Sequence, residues 1–208
     1  MDEEITIIDQ KTRNEKIKNF LIKNKRLILS IIALFIIIIL SFYSYNIYKE
    51  NIKKKLSDRY NKIIIEYQGQ DKAKVISSMK EIIKHKDTTY SPLALYFLID
   101  KNLIENKDEI NDLFDILIDQ TSLEFEIKNF IIYKKALYNA DSKDENELLN
   151  ILSPLIKSTS VWKSHALYLL GEYFYSIDKK LKSKEFFNEI LKTENSNQDI
   201  FKEAQKRL

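Results

Sequence analysis

The chain has 208 residues, of which 44% are hydrophobic and 31% are charged, and its formal net charge is +3. It has no cysteine, which excludes disulfides, thiol catalysis and thiolate metal sites, and its two glycines and two prolines are too few for the turns of an all-β fold. Residues 46–208 hold 27 of the 34 bases and 26 of the 31 acids, so charge does not predict a nucleic-acid partner.

Residues 1–26 are predicted to be a cytoplasmic N-terminal segment that ends in a short amphipathic helix. The first 15 residues are polar, mixed in charge and without periodicity, which predicts disorder. Over residues 15–26, Ile17, Phe20 and Leu21 recur at helical spacing between lysines. This pattern indicates a helix on a membrane surface, and its bases favour anionic lipid.

Residues 27–47 are predicted to form a retained transmembrane helix. They include an unbroken apolar run of isoleucine and leucine, and a helix of this length spans roughly 30 Å, the thickness of a bilayer core. Tyr43, Tyr45 and Tyr48 collect at one end, where amphipathic rings favour the headgroup region. A cleaved signal peptide would have a shorter apolar run followed by small residues, and a buried core helix would need a larger domain around it.

The charges that flank residues 27–47 leave the orientation of the helix open. Five bases lie on each side: Lys16, Lys18, Lys23, Lys25 and Arg26 before the helix, and Lys49, Lys53, Lys54, Lys55 and Arg59 after it. The positive-inside rule compares such flanking bases, and here they balance. Because Lys25 and Arg26 adjoin the apolar run and the N-terminal segment is short, we favour a cytoplasmic N-terminus.

Residues 48–70 are predicted to continue the helix out of the membrane as a stalk. Ile52, Leu56, Tyr60 and Ile63 follow one another at steps of three and four residues, which describes a single apolar stripe. Gly69 is predicted to end the stalk, and Asp71 to cap the helix that follows.

Residues 71–208 are predicted to be an all-α domain of short helices. Ser91 is expected to be the N-cap of the second of these, with Pro92 at its first helical position. The predicted helices are Lys72–Lys84, Leu93–Ile104, Asp108–Asp119, Ser122–Asn139, Asp144–Lys157, Trp162–Ser176, Lys179–Lys192 and a last one from Gln198 onward.

Helix starts near Leu93, Ile127 and Trp162 recur at about 35 residues, a period typical of helical-hairpin repeats such as the tetratricopeptide repeat. Gly171 and Ser183 supply the small residues that such a repeat needs where its two helices cross. The repeat positions assigned to the last pair are Trp162, Leu167, Leu170, Gly171, Phe174, Ser183, Phe187 and Ile190. The earlier pairs match less well, so we predict a tetratricopeptide-like α-solenoid of degenerate hairpins.

Several local strings resemble the YfgM family. Ile17–Leu21 resembles the family's basic lead-in to the membrane, Thr89–Ala94 its Thr-Tyr-x-x-Leu-Ala repeat opening, and Trp162 with Leu170–Glu172 its last repeat. Ser176–Asp178 departs from the family, which has a Gly-Asp turn at this place.

The resemblance implies a single-pass protein of the bacterial inner membrane, with a cytoplasmic N-terminus and a periplasmic C-terminal domain. It implies an ancillary subunit of the Sec translocon, whose partners would be the translocon, periplasmic chaperones and translocating polypeptides. The resemblance also resolves the orientation that the flanking charges leave open.

The sequence contains no pattern that predicts catalysis, a cofactor or a metal site. His85 and His165 stand apart from each other, and no glycine-rich phosphate loop is present. Four acids fall on one helix face, which we interpret as a solvated surface: Glu109, Asp112, Asp115 and Asp119. We therefore predict a protein that is not an enzyme.

Tyrosines are the candidate protein-binding residues, because their rings give apolar contact while the hydroxyl stays wet. Tyr168 and Tyr173 lie on the first helix of the best repeat, and the helices that come first in each hairpin usually line the concave binding face. The leading hypothesis is a membrane-anchored adaptor. The alternatives are a cytoplasmic scaffold of the same fold, and a structural stalk that forms homo-oligomers.

Overall fold

The computed structural model describes residues 13, 15–16, 18–67, 71–194 and 196–208. The regular structure of these residues is helical throughout, with no strand among them. The predictions for residues 1–12 and for the turn at Gly69 lie outside the described residues, as does Ile17 of the amphipathic segment. Residues 18–23 are helical, and Asn24 forms a turn before the first long helix.

The first long helix, α1, is Lys25–Glu66, with 42 residues. Within the part of the chain that the structure describes, α1 is the helix that is long and apolar enough to cross a membrane. None of the most apolar stretch of α1 is buried against other described residues. The chain divides into two compact units, and the boundary between Lys55 and Leu56 falls inside α1.

The second unit begins at Leu56 and contains the end of α1 together with eight described helices. Their bounds are α2 Lys72–Lys84, α3 Tyr90–Asp100, α4 Lys107–Gln120, α5 Phe125–Asn139, α6 Glu145–Ile156, α7 Lys163–Ser176, α8 Lys180–Lys192 and α9 Gln198–Lys206. From α2 onward each helix packs against the next, and α2 with α4, α5 with α7, and α7 with α9 also pack together. The all-α fold is thus confirmed, and the helix bounds agree with the predicted ones to within four residues.

Side-chain caps explain why several helices begin where they do. Asp71 accepts a hydrogen bond from the backbone N–H of Ala73 at 3.0 Å, which confirms its predicted role as the N-cap of α2. Asn106 and Asn197 cap α4 and α9 in the same way. At α6, Asp144 accepts from Glu147, whose side chain accepts in return from the Asp144 backbone, a complete capping box.

The prediction that Ser91 caps α3 is wrong. The carboxylate of Asp87 accepts hydrogen bonds from the N–H groups of Thr89 and Tyr90, at 2.9 and 2.7 Å, so the helix starts earlier at Tyr90. Ser91 is instead buried within the helix, where its hydroxyl donates to the carbonyl of Ile82 at 2.9 Å and so ties α3 to α2. The Asp87 carboxylate, three residues before Tyr90, thus accepts from two N–H groups that have no partner within the helix.

Three described helices end in a left-handed residue that is not glycine. The first of these residues is Lys86 after α2, and the other two share one backbone reversal. Asn102 follows α3 with φ of 47°, and Asp178 follows α7 with φ of 59°. In each case the next N–H reaches back to a carbonyl five residues earlier, from Leu103 to Leu98 at 3.0 Å and from Lys179 to Phe174 at 2.9 Å. These bonds reverse the chain tightly, which sets each following helix against the one before it.

The core of the second unit is built from the inward faces of successive helices. One buried cluster joins α5, α6 and α7 and is made of Ile132, Ala136, Leu148, Leu152, Leu155, Ala166, Leu170 and Phe174. A second cluster joins α7, α8 and α9 through Leu167, Phe187, Ile190 and Ala204. Helix α7 contributes to both clusters, so one broad face of this helix packs against the helices before it and the helices after it.

Contacts between residues 34 positions apart recur along the second unit. The rings of Tyr96 and Phe130 lie 6.3 Å apart, the hydroxyl of Ser160 donates to the carboxylate of Glu126 at 2.6 Å, and Lys179 pairs with Glu145. Each pair joins a helix to the next helix but one along the chain, or to the residues just before it.

Candidate functional site: an aromatic cleft between α3 and α5

Aromatic rings connect the alternate helices α1, α3, α5 and α7 of the second unit. Tyr67, which directly follows α1, contacts Phe97 of α3 with ring centroids 5.3 Å apart, in an edge-to-face arrangement. Phe130 of α5 in turn lies 4.6 Å from Trp162, the residue that precedes α7. Such pairs stabilise the contact beyond the area that they bury, so these helices are held side by side by aromatic packing.

Trp162 is the most connected ring of this surface. Besides Phe130 it contacts Tyr133 at 5.8 Å and His165 at 4.9 Å, and its own side chain is half-buried. Burial lowers the pKa of His165, an effect that the carbonyl of Val161 partly offsets. His165 is therefore a structural ring in the aromatic packing.

A cleft of about 380 Å³ opens between α3 and α5, with α4 beneath it. Phe114 of α4 is fully buried, while Leu137 at the rim is 45% exposed. The apolar lining consists of Tyr96, Ile99, Phe114, Phe130, Leu137 and Tyr138. A volume of this size with a mostly aromatic lining is typical of sites that bind a ligand or an inserted side chain.

Two hydrogen-bond donors of the cleft have no acceptor among the described residues. The hydroxyl of Tyr96 is buried without a hydrogen-bond partner, and burial raises the pKa of Tyr96 to about 12. The ammonium of Lys134 lies 5.8 Å from the ring centroid of Tyr96 and 5.9 Å from that of Phe130. None of the ion pairs in the described residues includes Lys134. Asp100 supplies the one acid of the lining.

The cleft is suited to binding, since its groups are rings, aliphatic chains, two donors without acceptors and one acid. Its lining holds no histidine, serine or threonine for nucleophilic or acid–base chemistry. Across the described residues, no group of three or more histidines or acids could hold a metal ion. Of the four acids predicted to form a solvated face of α4, Glu109 pairs with Lys80 and Asp115 pairs with Lys135.

The residues assigned to the last repeat lie where α7 crosses α8. Gly171 and Ser183 meet there, and the Ser183 hydroxyl donates to the Gly171 carbonyl at 2.8 Å. Trp162 belongs instead to the aromatic packing described above. The large apolar members of the set are fully buried: Leu167, Leu170, Phe174, Phe187 and Ile190.

The two tyrosines predicted to bind proteins are both half-buried in helix packing. The ring of Tyr168 lies 5.6 Å from that of Phe187, against the cluster shared by α7, α8 and α9. The ring of Tyr173 lies 5.4 Å from that of Phe174, and its hydroxyl donates to the carbonyl of Lys143 at 3.3 Å. The structure thus places these two rings away from the cleft between α3 and α5.

Sequence reasoning did not single out the residues of the cleft. Tyr96 and Phe130 are aromatic residues within predicted helices, but Lys134 carries no signal of its own in the sequence. The separation of 34 residues between Tyr96 and Phe130 was the available clue, because equivalent positions of adjacent repeats lie side by side.

The chain matches no family model, no curated protein and no solved structure.

Proposed function

We propose that the chain is a membrane-anchored adaptor that binds polypeptides through a tetratricopeptide-like solenoid. The observation that carries this proposal is the cleft, which pairs an aromatic lining with donors that lack acceptors. Enzymatic activity has no comparable support, because the lining has no serine, threonine or histidine, and its acid and its lysine form no ion pair with any residue that the structure describes.

The solenoid architecture is supported by the contacts between residues 34 positions apart and by the packing of each helix from α2 onward against its neighbour. The close crossing at Gly171 and Ser183 fits the small positions of a tetratricopeptide hairpin. In solenoids of stacked helical hairpins, clefts between the first helices of adjacent hairpins are a common binding surface. The helices α3 and α5 occupy such positions.

The membrane anchor is supported by the apolar part of α1, whose large side chains from Leu29 to Tyr48 are exposed. A helix satisfies its own backbone hydrogen-bonding groups and so can lie in lipid. The exposure of this many isoleucine and leucine side chains would be unfavourable in water. Anchoring confines the second unit near the bilayer and raises its effective concentration there, so a modest affinity of the cleft suffices.

The resemblance to the YfgM family extends the proposal to a place and to partners. In this proposal the N-terminus is cytoplasmic, the second unit lies in the periplasm of a bacterial inner membrane, and the polypeptides bound are those that leave the Sec translocon. Periplasmic chaperones are the second class of partner. The same fold in the opposite orientation would be a cytoplasmic scaffold.

A topology reporter tests the orientation directly. Alkaline phosphatase fused after Leu208 is expected to be active, because it folds only in an oxidising periplasm, and the matched fusion after Arg26 is expected to be inactive. The reverse pattern would contradict the translocon proposal and support the cytoplasmic scaffold.

Site-specific photocrosslinking tests the partners. A photoreactive residue at Leu137, on the rim of the cleft, is expected to trap translocon subunits or secretory polypeptides, and the same probe at Tyr168 and Tyr173 compares the surfaces predicted from sequence. If the only crosslinked products join two copies of the chain, and they form only from probes at residues 52–67, an oligomeric stalk would instead be favoured.

A further inference from the structure

We infer that the cleft between α3 and α5 receives an extended polypeptide segment in which an apolar side chain stands next to a carboxylate. The inference rests on the protein-binding function proposed above and specifies the chemistry of what is bound. The apolar side chain would enter the aromatic lining, and the carboxylate would meet the two donors without acceptors.

The first support is the match between the cleft and an apolar side chain. Four rings and two aliphatic side chains surround about 380 Å³, and the floor is formed by the fully buried Phe114. Water in such a space gains few hydrogen bonds, so its replacement by an apolar group is favourable. The exposed Leu137 at the rim extends the apolar surface outward from the cleft.

The second support is the hydroxyl of Tyr96. Buried polar atoms nearly always have a hydrogen-bond partner, and one without a partner calls for an explanation such as a bound group. The Tyr96 hydroxyl is buried and has no partner among the described residues, and it belongs to the cleft lining. As a donor it requires an acceptor from the occupant.

The third support is the charge of the cleft and its border. Lys134 lies over the rings of Tyr96 and Phe130, and Lys107 lies 6.0 Å from the ring centroid of Tyr138. Neither lysine takes part in an ion pair with any residue that the structure describes, while Asp100 is the one acid in the lining. The lining itself holds one cation and one acid, and the cation is the charge that lies over the rings of Tyr96 and Phe130. A carboxylate is therefore favoured over an ammonium group next to an apolar side chain that enters these rings.

Fluorescence anisotropy with the full-length chain in detergent micelles tests the inference. The probes are fluorescein-labelled peptides that carry Asp-Leu-Phe, Asn-Leu-Phe or Asp-Ser-Ser between flexible Gly-Ser segments. We expect the first peptide to bind about fivefold to tenfold more tightly than the second, and at least about tenfold more tightly than the third. Equal affinity for the first two peptides would overturn the role of the carboxylate.

Variants locate the binding in the cleft. Lys134→Gln is expected to abolish the preference for Asp-Leu-Phe over Asn-Leu-Phe, and Lys134→Arg is expected to restore it because the charge is kept. Tyr96→Phe keeps the ring but removes the donor, and is expected to weaken binding of Asp-Leu-Phe about threefold or more. Lys202→Gln, an exposed position on α9, removes the same charge and is expected to change nothing.

The controls separate this inference from the function on which it rests. Circular dichroism at 222 nm checks that each variant is folded. If Lys134→Gln keeps the wild-type preference for the carboxylate, the assignment of this binding to the cleft is wrong. The adaptor function is still retained if the chain binds the peptides and crosslinks to polypeptides. Absence of peptide binding by the folded wild-type chain overturns the inference, and the crosslinking from Leu137 then decides the adaptor function by itself.

Discussion

Gly171 and Phe187 are in such close contact that no larger residue fits at position 171 without movement. A Cβ atom on Gly171 would lie 2.5 Å from Cε1 of Phe187 and 2.8 Å from its Cζ. The ring of Phe187 is fully buried, so its tip is not free to swing away. The close approach of α7 to α8 therefore requires glycine at position 171, because the ring of Phe187 occupies the space that a side chain would need.

Gly171→Ala is expected to destabilise the second unit by about 1–2 kcal/mol, since overpacking costs about 1–3 kcal/mol and alanine recovers up to about 1 kcal/mol through helix propensity. Chemical denaturation followed by circular dichroism measures the change. In a Phe187→Leu background the same substitution is expected to cost less, because the clashing ring is gone. Equal costs in the two backgrounds would contradict this account of the contact.

Asp178→Gly is expected to stabilise the fold by about 0.5–1 kcal/mol. Asp178 holds φ of 59°, a left-handed conformation that costs free energy for any residue with a Cβ and little for glycine. Its exposed ion pair with Lys180, at 3.3 Å, contributes little. Asp178→Ala removes the same carboxylate and is expected to give no gain, so thermal unfolding of the two variants isolates the backbone effect.

Asn111 and Asn139 exchange hydrogen bonds between their side-chain amides, at 3.0 and 2.7 Å, and Asn139 is fully buried. Asn139→Ala is expected to cost about 1–3 kcal/mol, because it leaves the amide of Asn111 without its partner. The double substitution to alanine is expected to cost less than the two single ones together. Asn146→Ala, at an exposed position, is the control and should change stability by less than about 0.5 kcal/mol.

The stability of the second unit is expected to fall in mild acid through His165. Burial lowers its pKa below the ordinary value of 6.5, so the folded state favours the neutral ring. The contribution is fully present above pH 6.5 and is lost as the pH falls below that value toward the folded pKa, because the unfolded chain then binds the proton more readily.

Urea unfolding at pH 7.5 and at pH 5.5, in wild type and in His165→Gln, measures this dependence. The variant is expected to lose less stability between the two pH values than wild type does. His85→Gln is the matched control at an exposed histidine, and it is expected to keep the wild-type response. A wild-type response in His165→Gln would assign the acid sensitivity to other groups.

Lysine in place of Ile36, Ile37 and Ile38 together is expected to release the chain from membranes. Each lysine at the centre of a span costs about 2.5–3.5 kcal/mol, whereas each leucine, isoleucine or phenylalanine contributes about 0.3–0.6 kcal/mol. One lysine is therefore tolerated by this apolar run and three are not. Carbonate extraction of membrane fractions tests the series, with leucine at the same three positions as the control.

The sequence was sufficient to predict features that depend on neighbours in the chain. The apolar stripe and the cap at Asp71 are local, and so α2 was predicted with the bounds that the structure has. Ser91 and Asp87 show the limit of such reasoning. Both residues can cap a helix. Ser91 does not do so because its hydroxyl donates a hydrogen bond to the carbonyl of Ile82 in the preceding helix α2.

The cleft could not be predicted from the sequence. Its two donors are notable only because they have no hydrogen-bond acceptor, and this depends on how the helices pack. Lys134 is one of many lysines, and its position over Tyr96 and Phe130 follows from the packing of α3 beside α5. Likewise the burial of the Tyr96 hydroxyl depends on side chains from other helices. Periodicity predicts which helices are neighbours, but it does not predict which polar atoms between them lack a hydrogen-bond partner.

The contacts between residues 34 positions apart have a consequence for synthesis. Because each joins a hairpin to the adjacent one, a hairpin needs only its predecessor to be in place before it can dock. The second unit can therefore assemble vectorially, while later residues are still on the ribosome. We expect a chain arrested once Ile156 has left the ribosome to hold α3, α4 and α5 already packed, so that the cleft exists before α7 has emerged.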